Sequence, residues 1–276
     1  IKPPSQAPLA LMRVAEAMVE ACPDGVVNVV PGPGSEVGAE LAGNANVDAI
    51  SFTGSTGVGK GVLRTAADHV TPGGKAPAIV LDDADVENAA RGVVAGIFSN
   101  AGQNCVATSR CLVHEDVHDE LVERVVEKTE RITLGEGGDP ETDMGPVISA
   151  DAQASVLDYV ESAVEAGATL LTGGGTPDDP ELADGHFVEP TVFDDVAPDM
   201  TVACEEIFGP VLSVVTVSST EEAVAVANDS PFGLAAALWT DSIDATRIAD
   251  RLDHGLVAVN TFPVSMPQSP WGGNKE

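Results

Sequence analysis

The sequence predicts an α/β protein whose parallel sheet is connected by crossover helices. Short apolar segments such as APAIVL and VLSVVTV alternate along the chain with segments of helical periodicity, and glycine-rich turns separate the two kinds. Of the 276 residues, 43% are hydrophobic and only 4% are aromatic, so we expect a core of Val, Ala, Leu and Ile. This length suits one large domain or two domains of ordinary size.

In the first quarter of the chain, the sequence pattern predicts helix, strand, helix, strand and helix. Residues 9–21 carry apolar side chains at helical spacing, and GVVNVVPGPG then indicates a short strand followed by a glycine turn. GSEVGAELAGN indicates a helix that ends at Gly43 and Asn44. VDAISF indicates a second strand, and GSTGVGKGVLRTAAD a turn that enters a helix.

The rest of the chain continues the alternation. The polar segment 173–185 predicts an exposed loop. The predicted strands are APAIVL, SRCLVHE, VLSVVTV, LAAALWT and LVAVN, and the predicted helices are 86–99, 117–132, 152–166, TEEAVAVAND and DATRIADRL.

The net charge of −31 argues against binding to nucleic acid or to an anionic membrane. The carboxylates of the protein are spread along the whole chain. We interpret this distribution as an adaptation that keeps the protein in solution at high salt. No apolar run has membrane-spanning length and no signal peptide is visible, so we expect a cytoplasmic protein. The four cysteines match no zinc-binding spacing, and we predict neither a metal site nor a disulfide framework.

A glycine-rich loop, SFTGSTGVGKGV, is open to three interpretations. A phosphate loop of a nucleotide triphosphatase would need Ser or Thr after Lys60, but Gly61 stands there. The glycines could instead only form a tight turn between strand and helix. In the third interpretation, Ser55 and the start of a helix near Thr56 would receive a dinucleotide pyrophosphate, although no G-x-G-x-x-G pattern is present.

Cys105, in the segment FSNAGQNCVATSR, is the candidate nucleophile. A lone cysteine is more often a small buried hydrophobic residue. None of the five histidines stands in a motif that would pair it with this cysteine as in a protease. A nucleophilic thiolate here would therefore need another kind of activation and another kind of substrate.

Six segments together resemble the aldehyde dehydrogenase superfamily. They are, in the order of the family, FTGSTGVGK, GGKAPAIVLDDAD, FSNAGQNCVATSR, EEIFGPVL, NDSPFGLAAALWT and VNTFPVSMPQSPWGGNKE. The resemblance implies a Rossmann-like cofactor domain, of which residues 1–72 would be the C-terminal part, and an α/β catalytic domain over 73–262. Residues 263–276 would begin the return toward the cofactor and oligomerisation region.

The resemblance also implies the chemistry. Cys105 would add to a small-molecule aldehyde, a hydride would pass to NAD or NADP, and the resulting thioester would be hydrolysed. The Cys105 backbone N–H would help to hold the oxyanion. The full-length protein is expected to be a homodimer or homotetramer. The implied cofactor-binding residues are Lys2, Ser5, Gly32, Gly54, Ser55, Thr56, Gly59, Gly73, Glu206 and Phe208.

The sequence departs from the family at three places. It has VTPGGK where the family has LELGGK, so the glutamate that acts as general base is missing. Either the protein is deficient in deacylation, with a structural or cofactor-binding role only, or a short segment after Pro72 is omitted, which we favour. The chain begins without Met at Ile1 and ends within a motif at Glu276, which we interpret as a fragment. Ser5 replaces a glutamate that disfavours NADP, so both cofactors remain open.

The substrate pocket is predicted from the same resemblance. SPWGGNKE is similar to the betaine aldehyde dehydrogenase branch, in which Trp271 would form one wall of an aromatic cage for a quaternary ammonium group. A second aromatic wall is replaced by Ser99, beside Phe98. Asn104 stands where a branch that takes phosphorylated substrates has arginine. We therefore expect an aliphatic aldehyde, with Phe98, Asn104 and Trp271 as substrate residues; ordinary core packing is the alternative for Trp271.

Overall fold

The computed structural model describes residues 1–44, 47, 50–65, 74–264 and 272–274. The chain divides into two compact units, Ile1–Thr71 and Pro72–Glu276. Among the described residues, no helix is both long and apolar enough to cross a membrane.

The first unit contains three α-helices within its described part. Helix α1 spans Leu9–Ala21 as predicted, and Pro23 follows its C-cap, where the chain turns extended. A π-helical turn, Gly34–Gly38, leads into α2, Ala39–Gly43, which ends at Asn44 as expected. Helix α3 is Thr56–Thr65 and begins at the glycine-rich loop.

The two strands predicted in this unit are not assigned in its described residues. At the first, GVVNVV, the described residues form two hydrogen bonds of the parallel type: the Ile1 amine donates to Asn28 O at 2.6 Å and Val30 N–H donates to Ile1 O at 2.9 Å. Part of the second, residues 48 and 49, lies outside the described residues. Strand structure needs a hydrogen-bonded partner along its length, and the pairing formed among the described residues is shorter than that.

The second unit contains a seven-stranded sheet. Its order is β3-β4-β5-β2-β1-β6-β7, and all neighbours are parallel except β3 and β4. The predicted α/β fold with a parallel sheet is thereby confirmed. The strands are β1 Pro77–Val80, β2 Arg110–His114, β3 Thr169–Thr172, β4 Thr191–Asp194, β5 Val211–Val217, β6 Ala235–Trp239 and β7 Leu256–Val259.

Three helices in the described part of this unit begin at a residue whose side chain caps them. The Asp85 carboxylate accepts from Asn88 N–H at 3.0 Å, and the hydroxyls of Ser149 and Ser219 cap two later helices in the same way. The helices are α4 Val86–Phe98, α5 His118–Thr129, α6 Ala150–Ala166, α7 Thr201–Cys204, α8 Thr220–Asn228 and α9 Ala245–Ala249.

The centre of the sheet is the core of the unit. Every residue of β1 and β6 is buried, as expected for parallel strands that are covered on both faces. Trp239 is the largest of the fully buried side chains, and valine, leucine and alanine make up most of the rest. This matches the small share of aromatic residues in the composition.

His118 ties the start of α5 to the end of β4. Its Nε2 lies 3.0 Å from Asp194 Oδ1 and its Nδ1 lies 2.9 Å from Asp119 Oδ1. Burial alone would lower the pKa of His118, but the two carboxylates outweigh it and raise that pKa above the ordinary value.

We therefore expect the His118 contacts to stabilise the fold by about 1 kcal/mol in acidic solution. Because the folded pKa is the higher one, this contribution is complete below about pH 6.5 and is lost as the pH rises through the folded pKa. The free energy of unfolding, measured with denaturant across this pH range, should depend less on pH in His118→Gln than in the parent protein. The same change at the exposed His186 serves as the control, and an equal effect of both variants would contradict the assignment.

Candidate active site

The candidate site lies at the edge of the sheet where three neighbouring strands begin. Gly74 and Lys75 precede β1, Cys105 precedes β2, and Glu206 precedes β5. Because β5, β2 and β1 are adjacent and parallel, their amino ends meet at one edge. The site is therefore built from the loops that enter the strands.

The loop that carries Cys105 begins with three residues in the left-handed region. After α4 ends at Phe98, Asn100, Ala101 and Gly102 have φ angles of 53°, 52° and 71°. At Gly102 a Cβ would overlap the carbonyl oxygen of Gly209, so only glycine fits there. This close approach places the cysteine loop against the loop that carries Glu206.

Gln103 fixes the cysteine loop from the side. Its Oε1 accepts from Ile148 N–H at 2.9 Å, while its Nε2 donates to Asn100 O at 3.2 Å. The side-chain amide of Asn100 donates through Nδ2 to the Gln103 backbone O at 3.1 Å. The sequence analysis assigned no role to Gln103. Its position two residues before the candidate nucleophile is the feature from which a role could have been predicted.

Gly74 brings Cys105 and Glu206 together. Its N–H donates to Glu206 Oε1 at 3.2 Å, and a Cβ on Gly74 would overlap the Cys105 carbonyl oxygen. A single glycine therefore packs on the cysteine backbone and holds the carboxylate at the same time. Its neighbour Gly73, predicted to bind cofactor, lies outside the described residues, as does the junction between Pro72 and Gly73.

The thiol and the carboxyl group of the site both have raised pKa values. Burial raises the pKa of half-buried Cys105, the nearby Glu206 carboxylate raises it further, and the backbone N–H groups of Cys105 and Val106 oppose the rise. Burial also raises the pKa of Glu206, against the Gly74 N–H and the positive charge of Lys75. Both groups therefore resist ionisation in the protein alone.

We expect Glu206→Gln to make Cys105 more reactive toward alkylating reagents near neutral pH. The substitution removes a neighbouring negative charge, so the pKa of the thiol falls and its thiolate forms at lower pH. The measurement is the alkylation rate of the Cys105 peptide against pH, read by mass spectrometry. Glu205→Gln is the matched control, because Glu205 accepts from the Tyr159 hydroxyl at 2.8 Å instead. An unchanged Cys105 profile in Glu206→Gln would contradict the coupling.

Lys75 and Arg110 are buried beneath the site. Lys75 is 1% exposed and Arg110 3%. The Arg110 guanidinium donates to the Lys75 carbonyl oxygen through Nε at 3.2 Å and Nη2 at 3.1 Å. Burial, and secondly the charge of Arg110, lower the pKa of Lys75 to about 7. The sequence analysis did not single out either residue.

The predicted substrate residues have different surroundings. Phe98 is buried in the hydrophobic core at the end of α4, whereas Asn104 is exposed beside Cys105. Trp271 lies outside the described residues. The described residues 272–274 lie at the same edge of the sheet, since Asn274 N–H donates to Gly233 O at 3.1 Å just before β6.

Three of the predicted cofactor-binding residues meet in the first unit. Lys2 Nζ lies 3.3 Å from Ser5 Oγ, and Ser5 Oγ donates to Gly32 O at 3.1 Å. A Cβ at Gly32, where φ is 155°, would overlap Val37. The three residues thus form a small polar cluster where the segment 28–30 ends.

The glycine-rich loop caps α3, also in the first unit. Ser55 Oγ accepts from Val58 N–H at 3.4 Å, and Gly59 N–H donates to Ser55 O at 2.8 Å. A Cβ at Gly54 would overlap the ring of Phe52. Thr56 is half-buried at the first helical position and Lys60 is exposed. The start of a helix with a serine hydroxyl beside it suits a phosphate.

Phe208 is partly exposed, with φ of 56°. This left-handed conformation is strained for an aromatic residue. No group of three or more His, Cys, Asp or Glu side chains in the described part of the chain is arranged to hold a metal ion.

Comparisons with known proteins cover the whole chain. Residues 1–276 match the model of the aldehyde dehydrogenase family. Betaine aldehyde dehydrogenase of Bacillus subtilis is 46% identical over 283 aligned positions, which cover 100% of this chain and 58% of that protein. Alpha-ketoglutarate semialdehyde dehydrogenase of Haloferax volcanii has the same identity and coverage.

A solved structure gives the same result in three dimensions. Betaine aldehyde dehydrogenase of Staphylococcus aureus in complex with NAD+ is similar with a TM-score of 0.94 at 40% identity, over 99% of this chain and 56% of that chain. This chain thus spans somewhat more than half the length of the relatives it matches.

Proposed function

The chain belongs to the aldehyde dehydrogenase family, and from this premise we propose that the whole protein oxidises an aldehyde to a carboxylic acid with NAD or NADP. The observation that carries the proposal is the arrangement of Cys105, Gly74 and Glu206 at one edge of the sheet. A half-buried thiol beside backbone donors and a carboxylate is suited to covalent catalysis on a carbonyl group.

Cys105 is the proposed nucleophile. Its sulfur would attack the aldehyde carbon to form a thiohemiacetal, and the N–H groups of Cys105 and Val106 that face the thiolate could stabilise negative charge there. A nicotinamide cofactor, when bound, supplies the hydride acceptor. The thioester that remains on Cys105 would then be released by water.

Each unit, taken by itself, carries candidate cofactor-binding residues. Lys2, Ser5 and Gly32 offer polar groups for an adenosine ribose, and the start of α3 with Ser55 suits the pyrophosphate. Glu206 would accept hydrogen bonds from the hydroxyls of the nicotinamide ribose, with Phe208 beside the ring. The relative from S. aureus was solved with NAD+, which favours NAD, while Ser5 leaves NADP open.

Release of the acid needs a general base, which the family carries in the motif that VTPGGK replaces. The relatives align over 283 positions, more than the 276 residues of this chain, so they have additional residues inside the matched stretch. This supports our preference for an omitted segment. The alternative is a protein that forms its thioester and stalls, with a structural or cofactor-binding role only.

The substrate class we favour is a small aliphatic aldehyde. Relatives named for betaine aldehyde and for alpha-ketoglutarate semialdehyde are equally similar to this chain. At the end of the substrate away from the aldehyde group, a quaternary ammonium group and a carboxylate are therefore both candidates. Asn104 beside Cys105 lacks the charge that would meet a phosphate. A cytoplasmic location and a homodimeric or homotetrameric assembly stay predictions.

The test is the time course of cofactor reduction by the purified whole protein. The expected result is sustained formation of reduced cofactor with betaine aldehyde, alpha-ketoglutarate semialdehyde or a simple aliphatic aldehyde. A single burst of one equivalent per Cys105 would support the stalled alternative. No reduction with any of these aldehydes and either cofactor would contradict the proposed function.

A further inference from the structure

The loop that carries Cys105 contains a strained turn. Asn100 and Ala101 have φ angles of 53° and 52°, in the left-handed region that residues with a side chain rarely adopt, and Gly102 continues it with a φ of 71°. Backbone strain of this kind persists only where the surrounding structure holds it, and it is concentrated at functional sites. The contacts that hold this turn therefore affect Cys105, which follows it by three residues.

Gln103 closes the turn on Asn100. Its backbone N–H donates to Asn100 O at 3.1 Å, and its Nε2 donates to the same oxygen at 3.2 Å. Asn100 Nδ2 donates in the other direction, to Gln103 O at 3.1 Å. The side chain of Gln103 thus adds a hydrogen bond to a turn that main-chain atoms already close.

The same side chain joins the turn to a segment that is distant in the sequence. Gln103 Oε1 accepts from Ile148 N–H at 2.9 Å. Both neighbours of Ile148 are fixed: Val147 is buried and donates to His186 O at 2.9 Å, and the side chain of Ser149 caps α6. Gln103 is therefore attached to a part of the second unit that the cysteine loop does not itself hold in place.

Cys105 lies in a turn of its own. Ala107 N–H donates to Asn104 O at 3.0 Å, which places Cys105 and Val106 at the centre of that turn. The backbone N–H groups of Cys105 and Val106 face the sulfur and favour its thiolate form. Whether they do so depends on how the whole turn is oriented.

The turn of Cys105 is attached to the rest of the unit on both sides. On the far side, Thr108 N–H donates to Gly96 O of α4 at 3.2 Å. On the near side, the attachment is the Gln103 side chain. The first attachment is made by main-chain atoms, whereas the second depends on one side chain, so a single substitution can remove it.

We propose that Gln103 is a positioning residue, whose side chain holds the cysteine loop on Ile148 so that the backbone N–H groups of Cys105 and Val106 face the reacting sulfur. The inference rests on the proposed function, because that function makes Cys105 the nucleophile. The attachment keeps the sulfur in place while it attacks the aldehyde carbon. This matters because a displacement of about 1 Å in a catalytic group can reduce turnover about 100-fold.

The first test measures Cys105 in the protein without any substrate. The rate of its alkylation by iodoacetamide is followed against pH, and the modified peptide is quantified by mass spectrometry. In Gln103→Met the midpoint of this profile should move to higher pH, because the N–H groups that stabilise the thiolate are no longer held toward it. The exposed Cys204, read in the same samples, should keep its profile. An unmoved Cys105 midpoint would overturn the proposal.

Gln103→Met is suited to this test because it keeps the length of the side chain and removes both amide groups. Gln103 is half-buried, so we expect the variant to fold. Gln103→Ala removes the same groups without adding apolar length, and it should shift the midpoint in the same direction.

Two further variants serve as controls. Gln153→Met also loses a hydrogen bond from a side chain to the backbone, since Gln153 Nε2 donates to Phe187 O at 2.7 Å, but it does not contact the cysteine loop through that bond. Asn100→Gly keeps the carbonyl that accepts from Gln103, and glycine adopts the left-handed region freely. Both should leave the Cys105 midpoint in place. A shift in either that equals the shift in Gln103→Met would overturn the proposal.

The second test measures turnover at saturating aldehyde and cofactor. Gln103→Met should reduce kcat about tenfold or more, while Gln153→Met should match the parent protein. Cofactor affinity, read from a binding titration, should stay at the parental value, because the Gly74 hydrogen bond to Glu206 is untouched. Parental kcat in Gln103→Met would contradict the assignment.

The two tests separate the inference from the proposed function. If the parent protein reduces no cofactor but the Cys105 midpoint still moves in Gln103→Met, the proposed function fails and the positioning of Cys105 by Gln103 stands. If the parent protein turns over and the midpoint does not move, the inference alone fails.

Discussion

Substitution of Cys105 by alanine is expected to abolish aldehyde oxidation, with a loss of about 10⁴-fold or more in turnover. No other group in the proposed mechanism can form the covalent bond to the substrate. Cofactor affinity should change little, because alanine leaves the Gly74 hydrogen bond to Glu206 in place. Turnover is read from the absorbance of reduced cofactor, and cofactor affinity from a binding titration with the same protein.

The other cysteines provide the controls for Cys105. Cys204 is exposed and Cys22 is partly exposed, so Ser should be tolerated at both. Cys111 is fully buried in β2, and burial raises its pKa to about 12, so it stays a thiol; Ala is the suitable change there. A Cys105→Ala protein with parental turnover, or an equal loss in any control, would contradict the mechanism.

Substitution of Gly74 by alanine is expected to cost stability and activity together. The added Cβ would overlap the Cys105 carbonyl oxygen, which is backbone and cannot rotate away. Overpacking of this kind costs about 1–3 kcal/mol of unfolding free energy. Relief of the overlap must move either Cys105 or the Glu206 contact, and a displacement of about 1 Å in a catalytic group can reduce turnover about 100-fold.

Denaturant unfolding and turnover of the purified variant test this expectation. Gly137→Ala is the matched control, because a Cβ there meets nothing within 4 Å and the residue has no positive φ. If Gly74→Ala unfolds and turns over like the Gly137 control, the close approach of Gly74 to Cys105 is not required for the site.

Local sequence signals predicted most of the second unit. The helices predicted at 86–99, 152–166 and TEEAVAVAND form as α4, α6 and α8, which begin at the N-cap residues Asp85, Ser149 and Ser219. The elements that were missed are short, namely β3, β4 and α7, with four residues each. A strand such as β3, half-exposed and paired antiparallel at the edge of the sheet, carries little periodic signal of its own.

The first unit shows the opposite outcome. GVVNVV has the composition of a strand, yet among the described residues its backbone pairing is that of Ile1 with Asn28 and Val30. Apolar composition predicts that a segment can join a sheet. Whether it does depends on partner segments, which local pattern cannot supply.

The candidate site could be predicted in part. Cys105 and Glu206 stood out through their motifs, and the structure brings both to Gly74. The roles of Gly102 and Gln103 depend on approaches between loops that are distant in the sequence. Such contacts leave no periodic pattern, so they became visible only in three dimensions.

The order of the strands has a consequence for how the chain folds during its synthesis. The interior strand β1 pairs on one side with β2, which follows soon after, but on the other side with β6. Roughly 160 residues separate β1 from β6, which at ribosomal speed is an interval of about 8–30 s. Throughout that time one edge of this fully buried strand has no partner, so its backbone hydrogen-bonding groups are exposed to other chains while the rest of the sheet is being synthesised.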